Sequence, residues 1–301
     1  MKKSAFSLIV LSLVIILFAG CHNTVNLDTP TPAAEPIEPV KKAKNNADFR
    51  VERYPVDKRG FSPVDKYLAN AEPVQDDEEG SLNPYVLKVI EAYPKDGSYP
   101  YRCIKEKEYD LYNGVTQDLI YKGRVVAKAH PNNTRCSYCC GLTFEIFVRA
   151  MKERNIQKGL DPDDFNGMGF FDLHNLLQLW YIEGKGDSPQ RGIVSYGLGK
   201  KIEDWEDMKA GDFMDYSRNN RTGHSVIFIE WKRNDAGEIT GFKYFSSNSR
   251  GVGYGTEYFH DSGVSGGKVL RKWFRPARVG SIENYQPFDR TQIPVRRAYA
   301  P

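Results

Sequence analysis

Excess charge, histidine, cysteine and long apolar runs are all scarce in this sequence. Its 301 residues carry 42 Lys and Arg against 39 Asp and Glu, a formal net charge of +3. Such a small excess argues against a nucleic-acid-binding surface, which needs a strongly basic face. The one long uncharged apolar run covers residues 6–18, which excludes a protein that crosses the membrane several times. No internal repeat is visible, which excludes a repeat architecture.

The N-terminal residues have the order of a bacterial export signal. A basic start at residues 1–3 precedes the apolar run of residues 6–18, and two small residues then come directly before Cys21. The run is too short for a comfortable membrane span, so this order predicts a secretory signal peptide over residues 1–20. The ending resembles the bacterial lipobox, which implies that Cys21 is lipidated and becomes the mature N-terminus. The alternatives are an uncleaved anchor and ordinary secretion without a lipid.

Removal of the signal peptide changes the charge of the chain and predicts its location. It removes two lysines and no acidic residue, which leaves 40 basic against 39 acidic side chains. Acyl chains such as palmitate can hold a soluble domain at a bilayer surface. We therefore expect an exported protein, lipid-anchored at Cys21 to a bacterial membrane and facing the periplasm or cell wall, at the outer membrane if the cell is Gram-negative. Nuclear and cytosolic functions are excluded on this interpretation, and no nucleic-acid partner is expected.

Composition divides the rest of the chain into a tether, an extension, one folded domain and a tail. Residues 21–48 are rich in Pro, Thr, Ala and charge without an apolar pattern, which is typical of a disordered spacer. Residues 49–80 combine aromatic side chains with an acidic end, so we expect a partly ordered extension. Residues 81–293 are numerous enough for one domain with a substantial core. Residues 294–301 are expected to form the tail.

Apolar periodicity changes within the folded domain from a helical spacing to a strand-like one. The helix predicted over residues 141–153 is amphipathic. Helices that precede an antiparallel sheet favour an α+β fold class. The predicted elements are helices over 85–93, 141–153 and 170–181, a hairpin over 119–127, and strands over 211–216, 225–232 and 241–247.

Three cysteines fall close together before a predicted helix. Cys136, Cys139 and Cys140 precede the helix over 141–153, and Cys103 lies further upstream. A thiol at a helix N-terminus meets oriented N–H groups and the positive end of the helix dipole, which lower its pKa and favour the nucleophilic thiolate. The same amides can bind the oxyanion of a tetrahedral intermediate. In an exported protein, Cys103 and Cys136 are also candidates for a disulfide bond.

His224 is the histidine best placed to act as a base. It begins an apolar strand, where a rigid element can hold an imidazole against a helix N-terminus. The other histidines have less suitable positions: His22 falls in the tether, His130 in a Pro-Asn loop and His260 in a Gly-rich loop. His174 lies on an apolar helix, where a hydrogen-bonded core histidine is the simpler interpretation.

These residues resemble the motifs of the NlpC-type papain-like cysteine peptidases of bacterial cell walls. Residues 138–143, Tyr-Cys-Cys-Gly-Leu-Thr, are similar to the family's nucleophile motif Asp-Cys-Ser-Gly-Leu-Val, which places the nucleophile at Cys139 and leaves Cys140 as its rival. Ala-Gly-Asp at 210–212 and Gly-His-Ser-Val-Ile at 223–227 resemble the family's later Pro-Gly-Asp and Gly-His-Val-Gly-Ile segments. The resemblance implies a papain-like domain, in which helices pack on an antiparallel sheet and the nucleophile begins a helix.

The resemblance also implies a third residue, on the strand after His224, that orients the imidazole. The family's usual second His is absent there, but strand alternation places Tyr244, Ser246 and Asn248 on one face. Asn is an accepted orienting group in papain-like triads, so we expect Asn248 in this role, with Ser246 as the alternate. Cys139 would attack an amide carbonyl while His224 accepts and returns the proton. The implied substrate is a peptide or amide bond of peptidoglycan, and no cofactor or metal is implied.

Two other functions remain open from the residues. The segment Cys136-x-x-Cys139 at a helix start is a redox feature, and three cysteines with a histidine could bind zinc. No buried strand of a βαβ unit precedes the segment and no second cysteine pair is spaced to match it, which counts against both. The other alternative is a papain-like lipoprotein that has lost activity and only binds wall peptides or partner proteins.

Two segments late in the chain lack a strand-like pattern. Residues 248–255 are Gly-rich and are predicted to form a loop at the rim of the cleft, because no helix follows to receive a phosphate. The chain from Gly267 carries eight basic against two acidic residues, which would suit anionic lipids or wall polymers. We prefer a solvated and partly disordered end that packs through Trp273 and Phe274.

Overall fold

Helices occupy the first half of the described chain and strands dominate the second, which confirms the predicted α+β class. The computed structural model describes residues 62–102, 112–132, 134–181, 188–280 and 285–289, all of which belong to one unit, Ala43–Pro301. Cys21, Cys103 and the predicted tether lie outside the described residues. Within these ranges no helix combines the length and the apolarity that a membrane span requires.

Most of the predicted helices and strands are found close to their expected positions. The hairpin and the helix over 170–181 have the predicted bounds, and the helix that follows the cysteines begins two residues early, at Cys139. The described chain contains helices α1 (Pro63–Asn70), α2 (Asn83–Ala92), α3 (Cys139–Gln157), α4 (Phe170–Tyr181) and α5 (Gln190–Ser195), a 3₁₀ turn (Trp205–Asp207), and strands β1 (Leu119–Tyr121), β2 (Arg124–Ala127), β3 (Gly199–Lys201), β4 (Phe213–Arg218), β5 (Gly223–Arg233), β6 (Ile239–Asn248), β7 (Gly251–Tyr258) and β8 (Val269–Val279).

Strands β3 to β8 form one antiparallel sheet, in the order β3-β8-β4-β5-β6-β7. Side chains alternate between its two faces. Phe213, Ile227 and Phe245 join the core under the helices, whereas Met214 and Phe242 belong to a second aromatic cluster that the 3₁₀ turn closes. Helix α3 packs across β5 and β6, which brings its first turn to the ends of these strands.

Residues 62–80 share the core of the domain that follows them. Ser62 caps α1 in a capping box: its hydroxyl accepts a bond from the amide of Asp65, and the Asp65 carboxylate accepts the Ser62 amide, each at 3.1 Å. Val64 and Leu68 on α1 are buried in the main core. Part of the expected extension is therefore an ordered helix.

Helix α3 runs through the core and is buried without interruption from Gly141 to Asn155. The predicted amphipathic helix therefore keeps no solvent-exposed polar face over this range, because other elements cover its charged side. Arg149 donates to Asp65 on α1 at 2.7 Å and to Glu145 at 2.9 Å. Charges are tolerated in a core when they are paired in this way. These ion pairs anchor the helix and fix the position of its N-terminus.

Residues 251–258 form the strand β7, so the predicted loop at 248–255 is wrong over most of its length. β7 pairs with β6 from the Asn248–Gly251 pair onwards. Its glycines leave room for large side chains on the neighbouring strand, since a Cβ at Gly255 would lie 2.5 Å from the Tyr244 ring. A glycine-rich strand carries little local signal, and pairing with β6 decides its conformation.

The predicted solvated end is also wrong over residues 269–279, which form β8 in the interior of the sheet, between β3 and β4. Arg278 on β8 is buried and donates to both carboxylate oxygens of Asp212 at 2.8 Å. Asp212 also accepts a 2.8 Å bond from Asn83 on α2. The acidic residue of the Gly-Asp motif therefore ties β4 to β8 and to a helix. Arg278 is one of the basic residues on which the prediction of a solvated end rests, and its charge is neutralised by Asp212, which is distant in sequence.

Candidate active site

The candidate site lies where β5 and β6 separate. Ile227 and Phe245 are the last residues that pair between the two strands. Beyond them, the start of β5 pairs only with β4 and the end of β6 pairs only with β7. Between the separated ends the Ser246 hydroxyl donates a 2.8 Å bond to the carbonyl oxygen of Ser225, in place of a ladder bond. The amide of Ser225 is close enough to the Cys139 thiol to lower its pKa. The thiol therefore lies beside the point where the two strands diverge.

The first turn of α3 positions that thiol. Cys139 is the first helical residue, and the preceding Tyr138 has an extended backbone, with φ −131° and ψ 169°, and makes no side-chain cap. The first amides of the helix are therefore not used by a capping side chain at Tyr138. Gly141 allows the turn to lie against the upstream loop, because a Cβ there would lie 2.2 Å from the carbonyl oxygen of Gly114. This close approach gives the glycine of the nucleophile motif a packing role.

Three neighbours favour the thiolate form of Cys139. The largest contribution is the hydrogen bond with Cys140, whose sulfur lies 3.8 Å away, and further bonds come from His224 and the Ser225 amide. Burial acts in the opposite direction, but these neighbours outweigh it and hold the pKa of the Cys139 thiol well below its usual value. When Cys139 is the thiolate, Cys140 is the donor of the bond between them.

Cys140 has the opposite environment. Its bond to Cys139, its burial and the negative charges of Cys139 and Asp215 raise the pKa of the Cys140 thiol well above its usual value. Its sulfur lies 3.5 Å from the carbonyl oxygen of Tyr181 at the end of α4. A protonated thiol beside a carbonyl is a poor nucleophile. The geometry therefore favours Cys139 over Cys140 as the reactive thiol.

Asn248 holds the ring of His224 in a defined orientation. The Oδ1 atom of Asn248 lies 3.1 Å from Nε2 of His224, and its amide nitrogen donates to the carbonyl oxygens of Ser246 at 3.0 Å and Gly253 at 3.1 Å. Since the amide group uses its N–H bonds on those carbonyls, Oδ1 must accept and Nε2 must carry a proton. The other ring nitrogen, Nδ1, is left for the thiol of Cys139.

Two tyrosines complete the surroundings of the imidazole. The rings of Tyr216 and Tyr244 meet the His224 ring edge to face, with centroids 5.9 Å and 5.4 Å away. The Tyr244 hydroxyl also donates a 3.0 Å bond to Oδ1 of Asn248. Sequence reasoning gave neither tyrosine a role, although alternation already placed Tyr244 on the face of Asn248. Tyr216 is opposite His224 on β4, a pairing that no local pattern reveals.

The other predicted site residues have different positions. Ser246 bonds to the backbone of β5, so it is Asn248 that contacts the imidazole. Cys136 is buried, with its sulfur 4.0 Å from Oδ1 of Asn132, and has no disulfide partner among the described residues. The predicted bond to Cys103 stays a prediction. In the part of the chain that the structure describes, no group of three or more His, Cys, Asp or Glu side chains is placed to hold a metal ion.

Comparison of the chain with protein-family models, with curated proteins and with solved structures found no match.

Proposed function

We propose that this protein is a cysteine hydrolase, with a papain-like site of the NlpC type, that cleaves a peptide or amide bond. The observation that carries the proposal is the chain of contacts from the Cys139 thiol to His224 and from Nε2 of His224 to Oδ1 of Asn248. A nucleophile, a base and a group that orients the base are the minimum set for acyl transfer through a covalent intermediate. Their order along the chain is the order of the motifs that resemble the NlpC family.

The mechanism follows from the positions of these groups. The Cys139 thiolate attacks the carbonyl carbon of the substrate, and amides at the start of α3 donate hydrogen bonds to the oxyanion. His224 holds the thiol proton on Nδ1 and delivers it to the leaving amine, while Asn248 keeps Nε2 protonated and the ring in place. Water then attacks the thioester with His224 as the base, which releases the acid and restores the thiol.

Peptidoglycan is the substrate that best fits the rest of the sequence. A signal peptide with a lipobox-like ending and a long polar tether would place the domain at the cell wall, where peptide cross-links and side chains are accessible. We propose a lipid anchor at Cys21 and a wall peptide as the bound partner. A papain-like domain that binds such peptides without cleaving them is the alternative, and it shares the anchor but not the hydrolysis of the bond.

The test compares the full chain with its variants on purified peptidoglycan and with a thiol-alkylating probe. We expect Cys139→Ala and His224→Ala to lower muropeptide release by roughly 10³-fold or more, and Cys139→Ala alone to abolish labelling at residue 139. Cys140→Ala tests the rival nucleophile and should lower release far less, because it removes the neighbouring thiol and keeps the proposed triad. The peptidase is contradicted if Cys139→Ala and His224→Ala release muropeptides as fast as the unmodified chain does. Labelling without release of any wall fragment would favour the binding protein.

A further inference from the structure

Two adjacent thiols at the start of α3 form a pair whose chemistry the proposed hydrolysis does not use. The sulfurs of Cys139 and Cys140 lie 3.8 Å apart, and both side chains are partly accessible. The nearest described cysteine in sequence, Cys136, is buried instead, and its sulfur approaches Asn132 at 4.0 Å. This geometry therefore suggests Cys140 as the redox partner of Cys139. The Cys-x-x-Cys spacing alone would have suggested Cys136.

We propose that Cys139 and Cys140 are a reversible oxidation site, which hydrogen peroxide or an organic hydroperoxide converts into a vicinal disulfide. The proposal does not depend on hydrolase activity, because it concerns only the two thiols and a peroxide. If the hydrolase proposal also holds, the same modification switches the enzyme off, since the nucleophile is consumed in the bond.

The chemistry takes two balanced steps. In the first, the Cys139 thiolate attacks a peroxide oxygen, the O–O bond breaks, and Cys139 becomes a sulfenic acid while hydroxide leaves and takes a proton. In the second, the sulfur of Cys140 attacks the sulfenic sulfur, the S–O bond breaks, and the Cys140 proton leaves with the oxygen as water. Hydrogen peroxide is reduced to two waters, or an organic hydroperoxide to an alcohol and one water, and two thiols are oxidised to one disulfide. A dithiol reductant reverses the change.

The environment of the pair suits both steps. The bonds from His224 and the Ser225 amide support a thiolate at Cys139, the form that reacts with peroxide. Cys140 stays protonated and close, as a resolving thiol should. Adjacent Cα atoms are about 3.8 Å apart, shorter than the separation in an ordinary disulfide, so the bond would be strained and easily reduced. Because Cys139 is the first residue of α3, only the first helical turn has to adjust.

The experiment treats the full chain with hydrogen peroxide and locates the change by mass spectrometry. Chymotryptic cleavage after Tyr138 and Phe144 separates Cys136 from the peptide of residues 139–144. We expect that peptide to lose two hydrogen atoms and to regain them with dithiothreitol. In Cys140→Ser we expect Cys139 to gain two or three oxygen atoms instead, and the fraction recovered by reductant to fall by about tenfold, because sulfinic and sulfonic acids are not reduced by thiols.

Each other outcome contradicts the proposal. Oxygen addition at Cys139 in the unmodified chain with Cys140 still reduced would show that Cys140 does not resolve the sulfenic acid. A disulfide that links the two sides of the Tyr138 cleavage would assign the redox pair to Cys136. An unchanged peptide at peroxide levels that oxidise a free low-pKa thiol would remove the site altogether. Cys136→Ser serves as the matched control and should oxidise like the unmodified chain, and circular dichroism checks that each variant is folded.

Discussion

The body and the first turn of helix α3 stabilise buried polar groups in opposite ways. In the body of the helix, buried charges are paired with opposite charges: Arg149 with Asp65 and Glu145, Lys152 with Asp163, and Glu153 with Lys88. At the first turn, Cys139 is stabilised by a thiol, an imidazole and an amide, none of which is permanently charged. A fixed ion pair holds the fold and cannot easily exchange a proton, whereas groups that share protons can change their ionisation. The contrast indicates that the body of the helix stabilises the fold, whereas its first turn is suited to reactivity.

The largest effect on stability should come from a substitution in the body of α3. Arg149→Met would leave the carboxylates of Asp65 and Glu145 buried without their cation, so we expect the free energy of unfolding to fall by about 3–5 kcal/mol near neutral pH. Arg233→Met, in the exposed pair with Glu206, is the matched control and should change stability by less than about 1 kcal/mol. Urea denaturation measures both. Equal effects in the two variants would contradict the stabilising role of the buried ion pairs in the body of α3.

The same cluster predicts how stability depends on pH. Burial raises the pKa of Asp65, but the charge and hydrogen bonds of Arg149 and Ser62 outweigh it, so the folded-state pKa lies below the usual value. The contribution of Asp65 to stability is therefore complete above the unfolded pKa and is lost as pH falls through the lowered folded value. Arg149→Met should reverse this trend and gain stability on acidification, as the Asp65 carboxylate, buried without its cation, becomes protonated.

At the candidate active site, Asn248→Ala should have the next largest effect. It removes the acceptor that keeps Nε2 of His224 protonated, so we expect kcat on a peptidoglycan substrate to fall on the order of 10²-fold with little change in KM. Asn219 contacts the imidazole of His260 at 3.1 Å on an exposed surface, so Asn219→Ala is a matched control of the same chemistry. A loss in Asn219→Ala equal to that in Asn248→Ala would contradict the positioning role.

A smaller effect is expected when the donor at Cys140 is removed. In the unmodified chain the pKa of Cys139 is lowered, so its alkylation should continue below the usual thiol pKa and decline only as pH falls through the lowered value. Cys140→Ala deletes the largest stabilising bond of the thiolate and should shift this decline to higher pH. The rate of iodoacetamide labelling at Cys139, measured against pH, gives the result. An unchanged profile would mean that the Cys140 bond does not stabilise the thiolate.

The smallest effect should follow from Tyr244→Phe. It keeps the ring against His224 and removes one hydroxyl that donates to Oδ1 of Asn248, so we expect a loss of about two- to tenfold in kcat, the usual range for one neutral hydrogen bond. Tyr254→Phe, whose hydroxyl bonds to Glu91 away from the site, should leave kcat unchanged. A larger loss in Tyr254→Phe than in Tyr244→Phe would contradict the assignment of Tyr244.

The errors of sequence reasoning are confined to features that depend on distant partners. The predicted hairpin and the helix over 170–181 agree with the structure because their patterns are local. The strand β7 was missed because its glycines carry no apolar pattern. Gly255 leaves space for the Tyr244 ring on the neighbouring strand, a contact that the local sequence does not reveal. The strand β8 was missed because the charge of Arg278 is neutralised by Asp212, which lies far away in sequence. The amphipathic interpretation of α3 failed for the same reason.

The residues of the candidate site show the same division. A cysteine before a helix, a histidine at the start of an apolar strand and an asparagine at the end of the next strand are local features, and the resemblance to the NlpC family put them in order. Sequence spacing left open whether Cys139 or Cys140 is the nucleophile. In the structure the surroundings of the two thiols differ, because Ser225 and His224 contact Cys139 while the carbonyl oxygen of Tyr181 lies beside Cys140.

Periodicity, turn residues and composition within short segments are enough to predict the α+β class, the local elements and the types of residue available for chemistry. The separation of β5 and β6 beside the helix, the contact of the Asn248 oxygen with His224 and the opposite pKa shifts of the two thiols depend on the folded chain. Those properties arise from burial and from contacts between segments distant in the chain, and neither is present before the chain folds.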